Sequence, residues 1–221
     1  MRLIPKILSD IEDGERIIYR GHADEEWVLK PSIGRHFDGD WKEVVAHEEQ
    51  ALAEFKKKAI PYLKHSPQQD IEWLCLMQHH GLSTRLLDFT TNPLIALFFA
   101  TDPTIIKDGE FIVAKYSKVY ENIKDENLFN RKSSFAYHPP HITERIIGQH
   151  GCFVYSNEPN LPLNNKQISK KIIPKRDKEK IRKELSLLGI SQATLFPGID
   201  GVCKDINESL EWKLLDANIP F

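Results

Sequence analysis

The chain has 221 residues, 41% of them hydrophobic and 28% charged, with a formal net charge of −2. That length fits one substantial domain or two small ones, and the near-balanced charge excludes a general attraction to nucleic acid or anionic membranes. No apolar run reaches the roughly 18 residues of a membrane span and the N-terminus lacks a signal-peptide core, so a cytoplasmic protein with no membrane partner is expected.

In chain order, Ile17, Ile18 and Tyr19 predict a short buried strand ended by Gly21, and Trp27–Leu29 a second extended piece stopped by Pro31. From Trp41 to Lys64 the spacing of Val45, Leu52, Phe55, Ala59 and Leu63 predicts an amphipathic helix. After the break at SPQQD (66–70), a helix over about 71–79 turns Trp73, Leu74 and Met77 inward, and Gly81 closes it. LSTRLLDFTT (82–91) reads as a connection. Asn92 then caps a helix that Pro93 begins, PLIALFFA, apolar on nearly all sides and so expected at the centre of the domain.

Beyond Thr101 the pattern turns to strands. GEFIVAKYS (109–117) alternates well, RIIGQHGCFVYS (145–156) reads as two short strands jointed near Gly148 or Gly151, and SKKIIPK (169–175) reads as an edge strand because of Pro174. Residues 121–143 read as a long irregular loop of the kind used as a lid or binding loop. DKEKIRKELSLL (177–188) predicts a helix with Ile181, Leu185 and Leu188 inward and Gly189 at its end. ATLFP (193–197) reads as a strand, and DGVCKDINESLEWKL as a closing helix. With no repeat and no linker, residues 1–221 are expected to form a single α+β domain.

The chemistry concentrates in QHHGLSTRLLDFTTNPLIALFFA (78–100), where polar side chains stand directly against an apolar run. Arg85 and Asp88 admit two readings: a structural ion pair pinning the connection, or an arginine clamp on a phosphate or carboxylate. Thr91 and Asn92 either satisfy the free amides of the following helix or offer its positive end to a ligand. His79 and His80 are adjacent and cannot share one helix face, so no metal is expected; His22 or His80 could act as an acid–base group. Cys75, Cys152 and Cys203 are widely spaced and read as buried thiols, and the KKIIPKRDKEKIRK tract reads as a solvated face. Phosphate loops of Walker or Rossmann type and the G-x-S-x-G elbow are absent.

YRGH (19–22), WVLKPSIGR (27–35), the 78–100 stretch, RIIGQHGCF (145–153) and GISQATLFPGIDGV (189–202) together resemble the bacterial FRG domain family, named for a Phe-Arg-Gly motif that is Tyr19-Arg20-Gly21 here. The likeness runs from about residue 15 to 205. Some members of that family resemble components of antiphage defence. A more distant similarity joins the chain to Arg–Ser–Glu ADP-ribosyltransferases: Arg20-Gly21 is similar to the first motif. Phe89-Thr90-Thr91-Asn92-Pro93 followed by Ala96–Ala100 is similar to the second, and Gln149 stands at the third, where those enzymes carry glutamate. Glu144 would serve only in another register.

That similarity implies a split β-sheet with flanking helices and NAD as the cofactor. Arg20, Thr90 and Gln149 become catalytic candidates: Arg20 would grip phosphate or ribose, Thr90 or Thr91 would support it, and Gln149 would contact ribose. Ligand-binding candidates are Tyr19, Gly21, His22, Gln78, His80, Arg85, Asp88, Thr91, Asn92 and Phe153, with Tyr19 and Phe153 flanking a ring. Three functions follow. One is an ADP-ribosyltransferase or glycohydrolase, of defence or toxin type, acting on a protein or nucleic-acid target. A second is a module that binds a nucleotide or nucleic-acid end without turnover. The third is a nuclease or phosphodiesterase built on His80, Arg85 and Asp88.

Overall fold

The structure, a computed structural model, describes residues 2–9, 11, 16–36, 40–63, 66–123, 128–163 and 168–216, with side chains as far as residue 212. Helix α1 (Leu3–Leu8) precedes strand β1 (Ile17–His22), a short helix α2 (Ser32–His36) and the long α3 (Trp41–Ala59). Then come α4 (Asp70–His79), β2 (Leu86–Thr90), α5 (Pro93–Ala100), β3 (Gly109–Lys115), β4 (Val119–Tyr120) and β5 (Phe135–Tyr137). The chain continues through α6 (Glu144–Gly148), β6 (Gly151–Tyr155), β7 (Ile168–Ile173), α7 (Lys175–Leu187), α8 (Gln192–Leu195) and α9 (Ile199–Asp216). This is an α+β fold. No described helix is long and apolar enough to cross a membrane.

All seven described strands join one sheet in the order β4-β5-β6-β2-β1-β3-β7, antiparallel except for the β4–β5 pair. Its two halves are unequally joined. β1 pairs β3 along its whole length and β2 pairs β6 likewise, whereas β1 meets β2 only at Tyr19 and Thr90. Continued by two residues, that antiparallel register would set Gly21 opposite Asp88; the strands part instead, and the opening between them is where the site lies.

Strand alternation divides the core into three clusters. Leu86, Phe153, Tyr155, Phe135 and Tyr137 pack under α3 and α4, whereas Ile17, Tyr19, Phe111 and Ile173 pack under α1, α5 and α7 on the other half of the same face. The opposite face gathers Ile18, Leu87, Phe89, Ile112 and Val154 from both halves, with Leu29 against them. Helix α5 is the backing of the site. Asn92 Oδ1 accepts from the Leu94 amide at 2.9 Å, Pro93 takes the first turn, and Ile95, Ala96, Leu97, Phe98 and Ala100 are buried. Gly21 lets β1 lie against it: a Cβ there would sit 2.0 Å from the Ala96 carbonyl oxygen and 2.4 Å from the Ala100 nitrogen.

Several expectations need correction. Gly21 lies inside β1 rather than ending it, and Trp27–Leu29 is not a strand. α3 stops at Ala59, followed by a 3-10 turn at Ile60–Tyr62 around Pro61; Lys64 lies outside the described residues. The connection 82–91 contains β2, in which Leu86 and Thr90 are buried on one face and Leu87 and Phe89 on the other, so burial shows no alternation. The supposed loop 121–143 contains a 3-10 turn at Leu128–Asn130 and strand β5, with 124–127 outside the described residues. RIIGQHGCFVYS is a helix then a strand: Thr143 caps α6 through the Ile146 amide, and His150 at φ 46 turns the chain into β6. ATLFP begins in helix α8, Leu188 is 58% exposed, and Cys203 is exposed while Cys75 and Cys152 are buried.

Candidate functional site

Where β1 and β2 separate, a cleft of about 240 Å³ opens, lined by Tyr19, Arg20, Gly21, His22, Asp88, Thr90 and Gln149, with Phe89 and Ala23 behind them. Three distant segments therefore meet in one hollow. The sequence reading missed the cleft's remaining residues: Trp27, Phe99, Asp102 and Arg145. Trp27 is 47% exposed, and its ring meets the His22 ring edge at 6.0 Å. Phe99, like Pro93 and Leu94, is only partly buried on α5, and Arg145 stands over the Phe196 ring at 4.9 Å.

Arg20 organises the cleft. It is the fourth residue of β1, mid-strand rather than at a strand end, with its side chain 18% exposed. Its Nη1 donates to the Asp88 carbonyl oxygen, bridging the two strands just where their ladder stops, and its Nε donates to His22 Nε2 at 2.9 Å. Burial pulls the guanidinium's proton affinity down, the Asp88 carboxylate raises it, and nearby Arg35 lowers it further. Neither bond engages Nη2, whose hydrogens are free to take a phosphate or carboxylate oxygen.

His22 is 3% exposed, and burial followed by the Arg20 charge pushes its pKa down to about 3. An Nε2 that accepts from Arg20 belongs to a neutral ring, so the 3.5 Å approach of Nδ1 to Glu110 is not an ion pair. Nδ1 makes no hydrogen bond within the usual geometry. His22 thus orients Arg20; as an acid–base group near neutrality it is poorly placed.

Thr90 holds the other wall. Its hydroxyl donates to the Gln149 carbonyl oxygen at 2.8 Å and accepts from the Asn92 amide at 3.1 Å, so it fixes Gln149 rather than supporting Arg20. Gln149 sits at the C-terminal cap of α6, not on a strand, and its Nε2 donates to the Leu195 carbonyl oxygen at 3.1 Å. Glu144 opens α6, is exposed and is absent from the cleft lining, so it does not replace a glutamate at position 149.

The other candidates divide. Gln78 donates to Asp88 Oδ1 at 2.7 Å and also accepts from the Thr84 hydroxyl, so it braces the cleft's floor from α4. Arg85 does not pair with Asp88 and does not reach the cleft. It is fully buried, its backbone and Nε bound to Glu48 at 2.6 and 2.5 Å, its Nη1 to the Tyr155 hydroxyl at 2.8 Å. There it is a strut between α3 and β2, with its plane near the Phe129 and Tyr155 rings. Asn92 acts as a helix cap and Thr91 is exposed outside the cleft, its amide on the His150 carbonyl. Phe153 is buried in the core under α4, and His80 is exposed at the end of α4 against the His79 ring. His80, Arg85 and Asp88 therefore do not form one constellation. Among the described residues no group of three or more His, Cys, Asp or Glu is placed to hold a metal ion.

This geometry defines an α+β protein with a narrow, arginine-centred cleft at a parting of its sheet. Residues 15–108, from β1 through α5, match the family model of the FRG domain. The RIIGQHGCF and GISQATLFPGIDGV motifs, with Gln149 among them, lie beyond that match. No curated protein and no solved structure matches the chain.

Proposed function

We propose that the cleft binds a nucleotide-type ligand, with NAD the first candidate, in the manner of an ADP-ribosyltransferase-like protein. The convergence of Arg20, Thr90 and Gln149 on one opening carries this reading. Arg20 offers a pre-oriented guanidinium for a phosphate, held by His22 and the Asp88 carbonyl. Trp27 and Phe99 offer ring faces for a base or nicotinamide. Turnover would serve a defence or toxin-type role on a protein or nucleic-acid target.

One observation favours binding without turnover as a second reading. Gln149 is neutral and already donates to Leu195, so it cannot supply the negative charge that stabilises a cationic sugar as nicotinamide leaves. Titration calorimetry with NAD, ADP-ribose and ATP, followed by chromatography of the recovered ligand, separates the readings. Saturable NAD binding that Arg20→Ala weakens about tenfold or more supports the site. Consumed NAD selects the transferase and intact NAD the module. No heat with any of the three ligands removes the proposal.

A further inference from the structure

Arg20 and Asp88 line a second hollow as well as the first. On the other side of this pair lies a volume of about 290 Å³, bounded further by Arg35, Gln78 and Ser83. The first cleft, at about 240 Å³, is smaller than the roughly 300–1,000 Å³ of small-molecule sites, and so is the second; taken as one groove they reach that range. The Arg20–Asp88 bridge stands at the junction, and its guanidinium is the one group that faces both compartments with a hydrogen-bond donor to spare.

Charge distinguishes the second compartment. Arg35 is exposed on α2, close enough to lower the proton affinity of both Arg20 and His22, and its guanidinium has no hydrogen bond or ion pair among the described residues. Two guanidiniums therefore face one carboxylate there, and Asp88 is already bonded to Gln78 and lies 4.0 Å from Arg20. Like charges this close repel until an anion comes between them. We infer that the two hollows are one groove for a dinucleotide, and that Arg35 with Arg20 holds its pyrophosphate where the compartments meet. One nucleoside then lies against Trp27 and Phe99, and the other beyond Arg35. This rests on the nucleotide reading above and adds a residue and a ligand class to it.

Titrations of NAD and of inorganic pyrophosphate into the full chain, Arg35→Gln and Arg35→Lys test it, with thermal melts confirming that the variants fold. Arg35 is exposed and unbraced, so its replacement leaves the melt unchanged. The expected result is that Arg35→Gln weakens NAD and pyrophosphate about tenfold and Arg35→Lys recovers part of that loss, a bidentate fork being replaced by a point charge. NAD that binds equally well to wild type and Arg35→Gln overturns this inference and leaves the nucleotide reading intact. A wild-type chain that binds neither NAD nor any other nucleotide overturns that reading, and the dinucleotide groove with it.

Discussion

At position 22 a histidine is buried as a neutral ring between Arg20 and Glu110, and this has a consequence in acid. Its folded pKa, about 3, lies below its ordinary value near 6.5, so the unfolded chain takes up the proton first. Stability is whole above pH 6.5 and falls as the pH drops toward 3, by on the order of 3 kcal/mol at pH 4. His79, lowered to about 4 by burial and then by Arg145, adds loss of the same sign over a narrower window. Urea midpoints measured between pH 7 and 4 should show that slope, and His22→Gln should flatten much of it; an unchanged slope would mean His22 is not the group titrating. Arg20, Thr90 and Gln149 were legible only through their likeness to the ADP-ribosyltransferase motifs; no spacing or periodicity in the chain brings them together. The Arg85–Glu48 pair was not legible, because its partners lie on separate elements and sequence proximity pointed to Asp88 instead.

At the level of elements, β1 and α5 make the rigid corner of the site, and Gly21 is the position that allows their contact. Gly21→Ala would drive a methyl into the backbone of α5 at Ala96 and Ala100. The expected cost is about 3 kcal/mol or more, because neither backbone can retreat within the packed core. A chemical denaturation curve measures it, and a variant as stable as wild type would contradict the packing described. α3, α4, α5, α7 and α9 were readable because helical periodicity, Asn92, Pro93, Gly81 and Gly189 mark faces and ends. β2, α6 and α8 were not. β2 is buried on both sides except at Asp88, and α6 and α8, at 5 and 4 residues, are too short to display a period.

Across the whole molecule, the sheet is two well-paired halves held together at Tyr19 and Thr90, with Arg20 spanning the gap beyond. Composition and periodicity establish an α+β chain but carry no trace of this joint, since strand order depends on pairings among residues far apart in sequence. The parting of β1 from β2 creates an opening, α5 gives it a rigid floor, and the arginine at its mouth gives it a charge preference. A crystal structure of the chain with bound NAD tests this most directly. The account predicts density for the phosphates beside Arg20, with one ring against Trp27 or Phe99 and the β1–β2 gap still open. Ligand seated away from that gap, or a gap closed by a continued β1–β2 ladder with Arg20 turned to bulk solvent, would contradict it.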